Sequence, residues 1–114
     1  MMELITIQKR NGLNLIDKVN NYTYRIYRHR KLEEPFELVE IIFQNGTRKS
    51  LGAVAGVSEI DLLEIVRDRL SYFQASNMSN RETAIALTKV EEALLWLNKR
   101  VEDRAEQQVL GTME

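Results

Sequence analysis

At 114 residues, with 44% apolar and 29% charged side chains and a formal net charge of −1, the chain has the size and make-up of one soluble globular domain. Zero cysteines exclude disulfides, thiol catalysis and thiolate zinc sites together, so no metal or cofactor is expected, and near-neutrality argues against a non-specific duplex nucleic-acid binder, which draws its affinity from a basic excess. No run approaches the roughly 18 apolar residues of a membrane span, and the opening Met1–Thr6 lacks the basic flank and apolar centre of a signal peptide, so a cytoplasmic protein with no membrane partner is expected.

In chain order, Leu4–Ile7 alternates and is bounded by the turn signal Lys9-Arg10-Asn11-Gly12, which predicts a short first strand. Tyr22–Arg28 alternates more clearly and is rich in aromatic and β-branched residues, as suits a half-buried strand. After His29–Pro35, an apolar stretch from Phe36 to Gln44 predicts a further strand that ends in the turn pair Asn45-Gly46. An antiparallel sheet of three or four strands follows.

Residues 1–50 carry nine Lys and Arg against six Asp and Glu, and Arg25, Arg28, Arg30 and Lys31 cluster around Tyr24 and Tyr27. That grouping is compatible with single-stranded nucleic acid stacked on a sheet, or with a solvated face neutralised by Glu33, Glu34, Glu37 and Glu40. The single histidine, His29, has no matching acid or nucleophile pattern, and no Ser-His-Asp set, paired-carboxylate motif or P-loop is present. Nothing in the sequence predicts an enzyme.

Gly46, Gly52 and Gly56 fall within eleven residues between Asn45 and Val57, a loop able to bring backbone N–H groups close to a ligand or simply to turn. Ser58 then caps a helix predicted over Glu59–Ala75, with Leu62, Leu63, Val66, Leu70 and Phe73 on one face. Ala75–Met78 is the bend. Beyond it Ser79 and Glu82 have the spacing of a capping box, and a long helix is predicted from Ser79 to Leu110.

Along that helix Leu87, Val90, Leu94, Leu97 and Val101 recur in steps of three and four, one apolar stripe. At 100° per residue Arg104 lies within about 20° of Leu97 and Arg100 about 60° away, so two cations take over where leucines stop. Arginines there favour the helix dipole in solvent, or form an anion site, since two forked guanidiniums four residues apart match phosphate oxygens. The helices make an αα-hairpin of unequal arms, about 25 Å and 45 Å long, so roughly the last twelve residues outrun their partner. Either the sheet or a second subunit must cover the stripe there, and antiparallel pairing across a two-fold axis is the commonest way for a second subunit to do so.

The segments Asp68-Arg69-Leu70-Ser71-Tyr72-Phe73-Gln74, Asn80-Arg81-Glu82-Thr83-Ala84 and Leu87-Thr88-Lys89-Val90-Glu91-Glu92-Ala93-Leu94-Leu95-Trp96-Leu97, followed by Arg100 and Asp103-Arg104, closely resemble one family. The chain resembles the phage-encoded Thoeris anti-defence protein 1 family, whose C-terminal hairpin is similar to that of the anti-CBASS protein 2 sponges. Residues 59–112 carry most of the likeness, and Phe43-Gln44-Asn45-Gly46 with the glycine loop extends it upstream.

The resemblance implies an α+β fold: a small N-terminal antiparallel sheet with its glycine loop (1–57) and a helical hairpin (58–112) in a single domain. It implies a homodimer, or a hexamer built as a trimer of dimers, that sequesters a cyclic ADP-ribose isomer in the cytoplasm of an infected bacterium without hydrolysing it. Some members also hold cyclic di- or trinucleotides at a separate site. Carried over by position, Phe73 stacks the adenine, Arg100 and Arg104 hold phosphates, and Thr83 touches the ligand, with Gln74 and Arg81 beside them. Gln44, Asn45 and Gly46 are the candidate second site. Thr83 stands where Asn is common in the family, and Gln108 where Gly is common.

Phe73 beside the bend and Arg100 are about 30 Å apart in one chain, too far for one small ligand to touch both. An antiparallel dimer brings the bend of one subunit to the arginine end of the other. Two other functions compete with sequestration: an enzyme that degrades the nucleotide, and a purely structural dimerisation module.

Overall fold

A computed structural model describes residues 5–6, 14–28, 34–46 and 52–112. The chain forms two compact units, residues 1–58 and 59–114. The first is a four-stranded antiparallel sheet, β1 (Ile5–Thr6), β2 (Asn14–Asn20), β3 (Thr23–Arg28) and β4 (Phe36–Ile42), in sequential order. The second is a helical hairpin of α1 (Glu59–Ala75) and α2 (Arg81–Thr112). This is the α+β arrangement expected from the sequence. The segments around Lys9–Gly12 and His29–Glu33 lie outside the described residues.

β2 is a strand that the sequence did not announce. Asn14-Leu15-Ile16-Asp17-Lys18-Val19-Asn20 has no period-two pattern, because pairs of like residues follow one another. It is fixed instead by its neighbours, pairing with β1 through Ile5↔Lys18 and with β3 through Ile16↔Ile26. A register shift between Lys18 and Asn20 leads into the two-residue turn Asn21-Tyr22, where the Asn20 side-chain oxygen accepts the Tyr22 N–H at 2.7 Å. Tyr22 therefore sits in the turn, and the predicted strand begins one residue later.

Across β3 and β4, Arg25 stands opposite Glu40, and its guanidinium lies 2.7 Å from Glu40 and 3.4 Å from Glu37. That carboxylate raises the Arg25 pKa. Arg28 lies over the Phe36 ring at 6.0 Å. Of the four clustered cations, Arg25 is ion-paired with the neighbouring strand and Arg28 stacks on its Phe36 ring; Arg30 and Lys31 lie outside the described residues.

In the hairpin, α1 has the predicted bounds. α2 starts later than predicted and is capped differently. Asn80 is its N-cap, since its side-chain oxygen accepts the Thr83 N–H at 2.7 Å and its carbonyl accepts the Ala84 N–H at 3.1 Å. The Ser79 N–H instead closes the bend on the Ser76 carbonyl at 3.3 Å. The Ser79–Glu82 capping box is therefore displaced by one residue: two good capping side chains stand side by side, and the bend chooses the second. Within the bend, the Ser76 hydroxyl donates to the Phe73 carbonyl at 2.7 Å and accepts the Met78 N–H at 3.1 Å.

Leu94 is the one fully buried apolar residue among those described, at 5% exposure. Leu87, Val90 and Leu97 around it are half-buried, whereas Val101, the next member of the stripe, is 54% exposed. Leu94 shares a cleft with Glu64 and Arg67 in the first half of α1, so α1 is used up within about a turn beyond Leu94. The 17-residue arm simply ends before the 32-residue arm does.

Replacing Asn80 with Ala should lower stability by about 1 kcal/mol in chemical denaturation, and Ser79→Ala should change it by less than about 0.5 kcal/mol. The reverse order would restore Ser79 as the cap.

Candidate functional site

Side chains on α2 in steps of four rotate by only about 40° each, so Trp96, Arg100 and Arg104 form one row. They line a cleft of about 370 Å³ together with Lys99 and Asp103. Lys99 donates to the Asp103 carboxylate at 2.8 Å, and that hydrogen bond raises the lysine pKa, so these two charges answer each other. Arg100 and Arg104 form no ion pair among the described residues. The cleft therefore presents two uncommitted guanidiniums beside an indole. Trp96 escaped the sequence reading because it lies off the apolar stripe; its spacing of four from Arg100 was the available signal.

At the other end of the hairpin, Phe73 is half-buried on the last turn of α1. The Arg69 guanidinium lies 5.4 Å from its ring centre, and Tyr72 meets it edge-on at 5.8 Å. The Gln74 side-chain oxygen accepts the Asn80 N–H at 3.1 Å, so this amide ties the bend together. Arg81 is the exposed first residue of α2, and Thr83, half-buried, gives its N–H to the cap. Phe73, Gln74, Arg81 and Thr83 thus share one end of the hairpin. Arg100 lies nineteen residues beyond Arg81, about 28 Å along the helix, so a single chain does not bring all six residues together. Gln108 falls within the helical run of α2.

The second candidate set, Gln44, Asn45 and Gly46, belongs to the sheet unit. Asn45 exchanges backbone hydrogen bonds with Val54 at 2.8 and 2.9 Å, and Gln44 and Val57 continue the pairing. The Gln44 side chain donates to the Gly46 carbonyl at 3.1 Å and accepts the Gly56 N–H at 3.1 Å, fastening both sides of the loop. Gly46 has φ +88°, a left-handed conformation that favours glycine. Gly56 is required for another reason: a Cβ there would stand 2.4 Å from the Ile42 carbonyl oxygen. Asn45 also lines a small cleft of about 240 Å³ with Tyr22 and Val54.

No group of His, Asp and Glu among the described residues is placed to hold a metal ion, and no helix there is long and apolar enough to cross a membrane. His29 lies outside the described residues.

The sequence is similar to known proteins. The family described as "Acb2/Tad1, hairpin domain" matches residues 37–102. The protein named Thoeris anti-defense 1 of Bacillus phage SBSphiJ7 is 47% identical over 78 residues, which cover 68% of this chain and 54% of that relative. The match thus spans about half the relative's length.

Gly56→Ala should cost about 1–3 kcal/mol, because backbone atoms must move to admit the methyl group. Gln44→Ala removes two exposed hydrogen bonds and should cost about 1 kcal/mol. Denaturant midpoints of the two variants check the order, and an undisturbed Gly56→Ala would contradict the close approach.

Proposed function

Because this chain belongs to the Acb2/Tad1 hairpin-domain family, we propose that it is a phage anti-defence protein that binds a cyclic ADP-ribose signal and withholds it, uncleaved, from its effector in the cytoplasm of the infected host. The observation that carries this reading is the pair Arg100 and Arg104, two guanidiniums in one cleft without a carboxylate partner among the described residues. Guanidinium forks suit phosphate oxygens, and at a site with no catalytic set beside them they favour capture over turnover.

Phe73 is the aromatic surface for the adenine in this reading, with Thr83, Gln74 and Arg81 around it. Its distance from the arginines calls for a second copy of the chain, antiparallel across a two-fold axis, so that the bend of one subunit meets the arginine end of the other. Exposure of Leu95 (73%) and Val101 (54%) on the single chain supports such a homodimer, from which a trimer of dimers could be assembled. Cyclic di- or trinucleotides at Gln44, Asn45 and Gly46 would draw on the Asn45 side chain, since both ends of the Gln44 side chain, both backbone groups of Asn45 and the Gly46 carbonyl are engaged within the loop.

In excess over cyclic ADP-ribose, the protein should abolish effector activation, and heat denaturation should return the intact ligand. Chromatographic recovery of a cleaved product would establish an enzyme instead. Arg104→Ala should weaken binding by about 1.5–3 kcal/mol, the range for hydrogen bonds to charged groups, with an unchanged melting temperature.

The cross-subunit pocket has a stoichiometric signature. If Phe73→Ala and Arg104→Ala each abolish binding alone, co-refolding them makes about half the dimers mixed, and each mixed dimer carries one intact and one doubly altered pocket. About a quarter of all sites should then bind with near-wild-type affinity in a calorimetric titration. A mixture that binds nothing, with subunit exchange confirmed by mass spectrometry, would refute the cross-subunit pocket and assign Phe73 to the core.

A further inference from the structure

We propose that Trp96 is a third ligand-contacting residue of the arginine cleft, its indole covering the ring or sugar face of the nucleotide whose phosphates Arg100 and Arg104 hold. This assignment rests on the sequestration reading above and adds to it a residue that determines which non-phosphate groups the site accepts.

Trp96 lies about 160° around the helix from the buried Leu94, so it is no part of the hairpin core. It is 66% exposed, a large aromatic left in water on a face it shares with two uncommitted cations. Steps of four residues place Trp96, Arg100 and Arg104 over about 12 Å of helix, the span of a dinucleotide-sized anion. The Lys99–Asp103 pair on the far side of the row is internally neutral, which leaves the two arginines to set the sign of the cleft.

Another copy of the chain is the competing cover for the indole. A partner subunit that meets this end, as the proposed dimer does, but seals the indole and both arginines with no anion between would strip water from Arg100 and Arg104 without supplying oxygens in return, a costly exchange. A phosphorylated ring compound supplies both at once: oxygens for the guanidiniums and a π or C–H face for the indole.

Trp96 is the only tryptophan of the chain, so its emission reports on the surroundings of this one indole. Titration of the full chain with cyclic ADP-ribose should change that emission with the same midpoint that calorimetry gives. Trp96→Ala should bind about tenfold more weakly and Trp96→Phe within about threefold of wild type, all three having one mass by light scattering. Wild-type binding with unchanged emission, or a Trp96→Ala variant within twofold of wild type, would overturn the Trp96 assignment and leave sequestration standing. A Trp96→Ala variant of altered mass would assign the indole to a subunit contact and overturn it too. A wild-type protein that does not bind cyclic ADP-ribose would overturn the sequestration reading, and the Trp96 assignment with it. Should Trp96→Ala fail to fold, the wild-type emission change decides.

Discussion

The hairpin is governed by a mismatch of length. α1 has 17 residues and α2 has 32, so the apolar stripe of α2 is shielded as far as Leu97 and open at Val101. A helix stripe is stabilised by what it packs against, not by its own propensity, so an uncovered distal half needs another occupant. Beyond that point Arg104 continues the line of the stripe, with Arg100 at its edge. One geometrical fact therefore bears on both the proposed second subunit and the proposed anion site.

The two ends of the hairpin have different chemical characters. The bend is closed by short, specific hydrogen bonds from Ser76, Gln74 and Asn80, which fix Phe73 at the last turn of α1. The distal end holds its guanidiniums in reserve, with Lys99 and Asp103 answering each other. In the proposed function, the aromatic at one end and the two cations at the other are complementary halves of a nucleotide site, and helix geometry keeps them apart in one chain. In the sheet unit Arg25 is ion-paired with Glu37 and Glu40 across β3 and β4.

Much of the fold was legible because its signals are local. The stripe from Leu87 to Val101, the bounds of α1 and the clear alternation of β3 follow from periodicities of 3.6 and 2 that each element carries within itself. β2 was not legible, because Asn14–Asn20 has no such period and is held by partners on both edges. The cap was misplaced by one residue since Ser79 and Asn80 are both competent, and only the bend decides between them. Trp96 was passed over because it lies off the apolar stripe, on the face turned away from the buried Leu94.

By itself the sequence determined the sheet-then-hairpin order, the unequal arms, the absence of cysteine chemistry and the placing of two arginines four residues apart, all properties of spacing and composition. The tertiary structure decided which capping side chain is used, that Gln44 and Gly56 fasten the glycine loop, and that Glu37 and Glu40 take Arg25. Those outcomes depend on contacts between residues distant in sequence or on the end of a neighbouring helix, and no local period encodes either.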